Sequence, residues 1–160
     1  MNIENIWIVF VTVIVAPLSF GIINKTKAVF AGRKGKPILL AYYDIAKLMR
    51  KGAVYGKTTG PVFRWSPAIV LGSLLLAVLI IAWGNIEAPI SFTGDFVLLA
   101  YLIGVSRFFT VIAALDTGSS FEGMGASREV QFSAFGEPTL LLGMLLLAVY
   151  TGETSLSKMI

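Results

Sequence analysis

Four long apolar runs separated by polar connections dominate the chain. They cover residues 6–23, 67–83, 96–115 and 138–151. The first three are long enough to cross a hydrocarbon core, which takes about 17–25 helical residues. The fourth is too short, and extending its helix back to about residue 130 supplies the missing length. The pattern predicts an all-α, polytopic protein with four transmembrane helices in one membrane domain spanning residues 1–160.

Prolines and tryptophans mark the boundaries of these runs. Proline is favoured in the first turn of a helix, so the Ser66-Pro67 pair predicts that the second helix begins at Pro67. Trp65 and Trp83 lie at the two ends of this run, as aromatic residues do at membrane–water interfaces. Pro17 falls inside the first run, a position that membrane helices tolerate.

The composition agrees with this pattern and excludes several kinds of chemistry. Apolar residues make up 56% of the chain and charged residues 14%, whereas soluble domains are roughly a quarter charged. The chain has no cysteine and no histidine. Disulfides, thiolate or imidazole metal sites, iron–sulfur clusters held by this chain, and Ser-His or Cys-His nucleophile pairs are therefore excluded.

The basic residues are concentrated in one connection. Ten of the 13 lie between positions 25 and 64, where Asp44 is the one acidic residue. Such a block can bind nucleic acid or anionic lipid, or can mark the cytoplasmic side of a membrane protein. Because apolar runs flank it, the positive-inside rule favours a cytoplasmic loop, with the N-terminus outside and an acidic hairpin containing Glu87 and Asp95 outside. The basic residues follow the first run, which favours an uncleaved helix over a signal peptide.

Residues 37–51 predict an amphipathic helix within the basic loop. Apolar residues recur at helical spacing, whereas Asp44, Lys47 and Lys51 share the opposite face. A helix of this kind lies along the cytoplasmic membrane surface. It serves either as an anchor on the lipid surface or as a docking platform for a soluble partner.

Two ionisable residues are expected at membrane depth. Arg107 lies within the third run and needs a partner there. Asp116 is nine residues further on, about 180° round the helix, so Glu137 of the next helix is the better partner. The two residues form either an ion pair that fixes helix packing or a charged element of a hydrated proton path.

Glu137 also has a neighbour that favours proton chemistry. Pro138 frees a backbone carbonyl and makes room for water. A carboxyl group removed from bulk water can bind and release a proton near neutral pH. The alternative is a helix-terminal glutamate stabilised by its own helix dipole.

The segment 116–129 is unusually polar for a connection between two membrane helices. It contains three glycines and four charged residues. It lacks the Gly-Lys-Ser/Thr ending of a phosphate-binding loop. The composition predicts a loop that lines a polar cavity at the cytoplasmic boundary, with Ser127 capping a helix that starts at Arg128.

Several motifs resemble those of the membrane anchor subunit of energy-converting NiFe hydrogenases and formate hydrogenlyases, a family related to the quinone-site membrane subunit of respiratory complex I. They are Ser106-Arg107-Phe108-Phe109, Leu115 to Phe121, Gly123 to Glu129, and Glu137-Pro138, with Gly35 to Leu48 resembling the family's first cytoplasmic loop and amphipathic helix. Family members carry further spanning helices, so this chain resembles their N-terminal half. Either the subunit is split between two polypeptides or the sequence is incomplete.

The resemblance implies a connector role in an H2-evolving complex. There, a soluble arm takes electrons from ferredoxin or formate, passes them along iron–sulfur clusters and reduces protons at a NiFe centre. The membrane subunit anchors the arm and couples its chemistry to proton or sodium translocation. The implied partners are NiFe-hydrogenase-like large and small subunits, antiporter-like membrane subunits, the lipid bilayer and a polypeptide supplying the C-terminal half. No cofactor is expected on this chain. No nucleic acid is expected as a partner.

The resemblance also implies residue roles. Glu137 matches the carboxylate at the start of the polar path, and Arg107 matches an arginine in the preceding helix. The loop beneath the catalytic subunit is matched by Asp116, Glu122, Arg128 and Glu129. Docking of the arm is expected at Lys36, Asp44, Lys47, Arg50 and Lys51.

Other functions compatible with the same architecture are an equivalent subunit of a sulfur or quinone reductase and a purely structural anchor. A stand-alone transporter is disfavoured because the four runs form no inverted repeat.

Overall fold

The computed structural model describes residues 6–83 and 86–159, most of which are helical. The helices are α1 (Ile6–Phe30), α2 (Leu40–Met49), α3 (Pro61–Ile80), α4 (Asp95–Asp116), α5 (Ser120–Thr151) and α6 (Leu156–Met159). Helices α1, α3, α4 and α5 are long and apolar enough to cross a membrane. The predicted all-α, multi-pass architecture is therefore confirmed. The chain divides into two compact units, one formed by Ile6–Val54 and the other containing Tyr55–Ile160.

In the first unit, α2 packs against the side of α1. A Cβ atom at Gly21 would overlap the carbonyl oxygen of Ile38, so this close approach requires glycine. The hydroxyl of Tyr42 donates a hydrogen bond to the carbonyl of Ile14, which lies two turns before Gly21 on α1. The amphipathic helix predicted over 37–51 is thus a shorter helix that contacts the apolar part of α1. None of its residues is buried.

In the second unit, small side chains bring α3 and α4 together. Ser66, Ser73 and Ala77 are buried on α3, and Ser106 is buried on α4. Small residues allow the backbones of membrane helices to approach closely. The hydroxyls of Ser73 and Ser106 donate to carbonyl groups of their own helices, at 2.9 and 2.8 Å. These two hydroxyls are therefore satisfied, whereas the buried hydroxyl of Ser66 has no hydrogen-bond partner among the described residues.

Helix α3 begins earlier than the sequence predicted. It starts at Pro61, with Gly60 at the N-cap position, and Pro67 lies inside it. Both prolines suit a helix start, and the local pattern does not distinguish them. Trp65 consequently lies in the second turn of the helix and not before it.

Residues 116–129 are mostly helical, which corrects the predicted loop. Helix α5 starts at Ser120, so Ser127 is not an N-cap; its hydroxyl donates to the carbonyl of Met124 at 2.9 Å. Ser119 occupies the N-cap position with extended backbone angles, and Glu122 lies three residues later. This Ser-x-x-Glu spacing is typical of a helix start. The glycines in the segment had suggested a loop, but α5 accommodates them.

A fully buried aspartate joins the start of α4 to α6. Asp95 has an exposed fraction of 0%. Its Oδ1 accepts a hydrogen bond from the backbone N–H of Leu156 at 2.7 Å, and its Oδ2 accepts one from the hydroxyl of Ser155 at 3.0 Å. The backbone N–H of Gly94 donates to the carbonyl of Thr154 at 3.0 Å. Asp95 is therefore a buried capping residue and not an acid exposed in a hairpin loop.

We expect Asp95→Ala to destabilise the second unit. The substitution leaves the Ser155 hydroxyl and the Leu156 N–H without their acceptor, and each unsatisfied buried group costs about 1–3 kcal/mol. The measurement is thermal unfolding of the purified protein in detergent, with Glu153→Gln, at a carboxylate that is 45% exposed, as the control. An unfolding midpoint equal to that of the unmodified protein would contradict this role of Asp95.

Candidate functional site: an ion pair between two membrane helices

Helices α4 and α5 bring together the two charged residues expected to pair. The Nη1 atom of Arg107 lies 4.0 Å from the Oε1 atom of Glu137. Arg107 is twelve residues into α4, and Glu137 is seventeen residues into α5. Both residues therefore lie well inside helices of membrane-spanning length. Asp116, expected on the other side of α4 from Arg107, contacts residues at the start of α3.

The ion pair is loose and partly exposed. Its 4.0 Å separation is too long for a hydrogen bond. The side chains of Arg107 and Glu137 are 38% and 42% exposed, and neither forms a hydrogen bond with another residue in the described parts of the chain. Charged groups at membrane depth are costly unless paired or hydrated. The exposed part of each side chain leaves space for further polar contacts, which would lower the cost of placing the charges at membrane depth.

Two glycines keep the space around the pair open. A Cβ atom at Gly104 would lie 3.8 Å from Oε2 of Glu137, and one at Gly136 would lie 3.5 Å from Nη1 of Arg107. Any larger side chain would therefore occupy the space next to the charged atoms. Neither glycine stands out in the sequence, because their importance depends on a contact between two helices.

Two cavities meet at the ion pair. One, of about 370 Å³, extends towards Val97 and Tyr101. The other, of about 340 Å³, extends in the opposite direction along α4, towards Val111. Arg107 and Glu137 line both cavities.

Polar groups continue along α5 from its first turn to Glu137. At 3.6 residues per turn, Glu122, Glu129, Ser133 and Glu137 fall within about 80° of one face. Ser133 lines the second cavity, and its hydroxyl donates to the carbonyl of Glu129 at 2.5 Å. The side chain of Glu129 is exposed, as is that of Arg128, which lies on a different face of the helix.

Asp116 has a structural role that the sequence did not reveal. Its Oδ2 atom accepts hydrogen bonds from the backbone N–H groups of Gly60 at 2.8 Å and Phe63 at 3.0 Å. These donors belong to the N-cap and third positions of α3, where N–H groups lack partners within the helix. A Cβ atom at residue 60 would lie 2.6 Å from Oδ1 of Asp116. The last residue of α4 thus caps α3, and glycine at position 60 makes the contact possible.

The turn between α4 and α5 forms hydrogen bonds with the first turn of α5 and with the segment before α3. The Oγ1 atom of Thr117 lies 2.5 Å from Oε2 of Glu122 in the first turn of α5. The hydroxyl of Thr58 donates to the carbonyl of Thr117 at 3.1 Å. Gly118 has φ +69°, in the left-handed region that favours glycine. These contacts connect the segment before α3 with the start of α5.

The residues expected to dock a soluble arm lie in the first unit. Lys36 and Asp44 line a cavity of about 370 Å³ together with Asn24 of α1. The others, Lys47, Arg50 and Lys51, are exposed. Among residues 6–83 and 86–159, no group of three or more His, Cys, Asp or Glu side chains is arranged to hold a metal ion.

Comparison with known proteins identifies one family and two similar curated proteins. Residues 3–160 match the NADH dehydrogenase family. The chain is 38% identical to formate hydrogenlyase subunit 4 of Escherichia coli K12 over 144 residues, which cover 90% of this chain and 47% of that protein. It is 35% identical to hydrogenase-4 component C of the same organism over 144 residues, covering 90% and 46%. The chain spans about half the length of these curated relatives.

A double-mutant cycle tests the cap on α3. Asp116→Ala should cost about 1 kcal/mol of unfolding free energy, as loss of a capping side chain does. Gly60→Ala should also destabilise the protein, because its Cβ atom would collide with the carboxylate. The double variant should cost less than the sum of the two, since the added Cβ then has space. Additive costs in detergent unfolding experiments would argue against the contact.

Proposed function

This chain belongs to the NADH dehydrogenase family of complex I-like membrane proteins, and we propose that it is the membrane connector subunit of an H2-evolving NiFe hydrogenase complex. In this proposal a soluble redox arm receives electrons from ferredoxin or formate. The chain anchors that arm and couples its electron transfer to the translocation of protons or sodium ions. The names of its relatives, a formate hydrogenlyase subunit and a hydrogenase component, support the hydrogenase assignment.

The observation that carries the coupling role is the position of the Arg107–Glu137 pair. It lies inside two helices of membrane-spanning length and lines cavities that extend in opposite directions. An ion pair that served only to fix helix packing would be expected in close, hydrogen-bonded contact. This pair is separated by 4.0 Å, is partly exposed and has a glycine on each helix beside it. Such an arrangement suits a carboxylate that exchanges protons with water.

The path from the arm to Glu137 would follow α5. This helix is continuous from Ser120 to Glu137, a distance of about 26 Å at 1.5 Å per residue. We propose that reduction in the arm displaces the turn at Thr117 and that α5 transmits the displacement to Glu137. The distance between Glu137 and Arg107 then changes, and with it the hydration and proton affinity of the carboxylate. Glu122, Arg128 and Glu129 would form the charged surface of α5 nearest the turn.

The redox centres belong to partner subunits in this proposal. The chain has no cysteine or histidine, and cysteine thiolates are the usual ligands of iron–sulfur clusters. We therefore assign the NiFe centre and the clusters to hydrogenase-like large and small subunits, and the main ion movement to antiporter-like membrane subunits. The connector's own contribution is to hold the arm and to change the charge at Glu137.

The proposed orientation places the basic loop in the cytoplasm and the N-terminus outside. The concentration of ten basic residues between positions 25 and 64 supports it. The exposed residues Lys47, Arg50 and Lys51 would then be available to the soluble arm, together with Lys36 and Asp44.

Glu137→Gln tests the coupling role. The amide retains the shape of the side chain but cannot exchange a proton, so ion translocation per H2 formed should fall at least about tenfold. Translocation is measured by the pH change inside inverted membrane vesicles, with H2 evolution recorded in parallel. Glu153→Gln is the matched control, because its carboxylate is similarly exposed, at 45%, and pairs with Lys158 away from the cavities.

The same experiment separates a coupling element from a structural anchor. An anchor would tolerate Glu137→Gln and Arg107→Gln together, with assembly and translocation unchanged. That result would contradict the coupling role.

Metal analysis tests the hydrogenase assignment. The complex that copurifies with this chain in mild detergent should contain both nickel and iron, because the proposed arm carries a NiFe centre and clusters. Iron without nickel would instead indicate a sulfur- or quinone-linked complex, and a chain recovered without a metal-containing arm would contradict both assignments.

A further inference from the structure

The cavity between α1 and α2 is lined by side chains of both charges. Lys36, in the connection between the two helices, and Asp44 of α2 line it together with Asn24 of α1. Its volume of about 370 Å³ falls within the range of small-molecule sites, roughly 300–1,000 Å³. Neither Lys36 nor Asp44 has an ion-pair partner in the part of the chain that the structure describes. The cavity thus contains a cation and an anion that do not pair with each other.

This cavity lies where the apolar part of α1 ends. Helix α1 is long and apolar enough to cross a membrane, and its apolar run ends at residue 23, next to Asn24. One turn earlier, Phe20 lines the same cavity and is 62% exposed. The cavity therefore has polar groups at one end and an apolar side chain at the other, as expected for a site at the boundary between lipid headgroups and acyl chains.

Backbone contacts form the cavity in the absence of a ligand. Gly21 and Gly35 both line it. A Cβ atom at Gly21 would overlap the carbonyl oxygen of Ile38, and one at Gly35 would lie 2.6 Å from the Cβ atom of Ala28. Gly35 also has φ +65°, in the left-handed region. The segment that carries Lys36 is therefore packed closely against α1, and a site formed in advance loses less entropy when it binds a ligand.

The charges of the cavity select among the lipid headgroups. Basic residues beside a membrane helix attract anionic lipid, but Asp44, the one acidic residue between positions 25 and 64, lines this cavity. A headgroup with negative charge alone would be repelled by Asp44 and would leave it unpaired. A choline headgroup has no N–H group to donate to the carboxylate. An ethanolamine headgroup carries a phosphate and a primary ammonium, which, like that of lysine, has three donors.

We propose that this cavity binds the headgroup of a phosphatidylethanolamine molecule. Its phosphate accepts hydrogen bonds from the ammonium of Lys36 and the amide of Asn24, and its ammonium donates to the carboxylate of Asp44. Hydrogen bonds between charged groups are the strong ones among protein hydrogen bonds. The acyl chains leave the cavity past Phe20 and lie against the exposed apolar side chains of α1.

This proposal uses residues of the first unit alone and does not rest on the proposed coupling role. A bound headgroup would occupy Lys36 and Asp44. The exposed residues Lys47, Arg50 and Lys51 do not line the cavity, so they would remain available to a soluble arm.

Native mass spectrometry of the purified full chain in detergent tests the proposal. Phosphatidylethanolamine, phosphatidylcholine and phosphatidylglycerol with identical acyl chains are titrated separately, and the bound fraction gives an affinity for each. We expect one phosphatidylethanolamine molecule per chain, bound about tenfold more tightly than either other lipid, the effect of one additional hydrogen bond between charged groups.

Two variants assign the two ends of the headgroup. Asp44→Asn should weaken phosphatidylethanolamine about tenfold and leave phosphatidylcholine unchanged, because only the first lipid has an ammonium N–H donor. Lys36→Gln should weaken both lipids, because both carry the phosphate. Lys34→Gln is the matched control, since Lys34 is an exposed lysine of the same connection and does not line the cavity. All three side chains are exposed, so we expect the variants to fold, and circular dichroism verifies their helix content.

Four results would overturn the proposal. They are equal affinity for phosphatidylethanolamine and phosphatidylcholine, preference for phosphatidylglycerol, an equal loss in Lys34→Gln and Lys36→Gln, and a loss of phosphatidylcholine binding in Asp44→Asn. Soluble glycerophosphoethanolamine, which has the headgroup without acyl chains, distinguishes a lipid site from a site for a free phosphate compound. At the concentration of the lipid it should not displace the lipid, and displacement would also contradict a lipid site.

Discussion

The second unit depends on the two aspartates that begin and end α4. A helix end exposes N–H groups without partners, and a membrane protein has little water to satisfy them. Asp95, at one end of α4, accepts a hydrogen bond from the first N–H of α6, and Asp116, at the other end, accepts two from the start of α3. Each aspartate thus fixes the first turn of a neighbouring helix against one end of α4.

This constraint determines where the central ion pair lies. With both its ends attached, α4 presents Arg107 near its middle, and the turn at Thr117 leads directly into α5 and Glu137. The small interface residues of α3 occupy one side of α4, so the side that carries Arg107 is free to face α5. The glycines beside the pair, Gly104 and Gly136, leave space next to the two charged groups, which the proposed coupling role would use.

Much of this arrangement could be predicted from the sequence, because hydropathy depends on each segment by itself. The four spans and the partnership of Arg107 with Glu137 follow from apolar length and from the cost of an unpaired charge in lipid. The start of α5 was missed because its glycines are typical of loops, although the Ser119–Glu122 spacing was present. The role of Asp116 could not be predicted, since its contact with Gly60 joins positions 56 residues apart.

We propose that Glu137 changes its protonation state when the redox arm is reduced. Infrared difference spectroscopy of the assembled complex, oxidised against reduced, measures this directly through the carbonyl band of a protonated carboxylic acid. We expect a band change that disappears in Glu137→Gln and persists in Glu153→Gln. A spectrum without such a band, or a band that survives in Glu137→Gln, would contradict it.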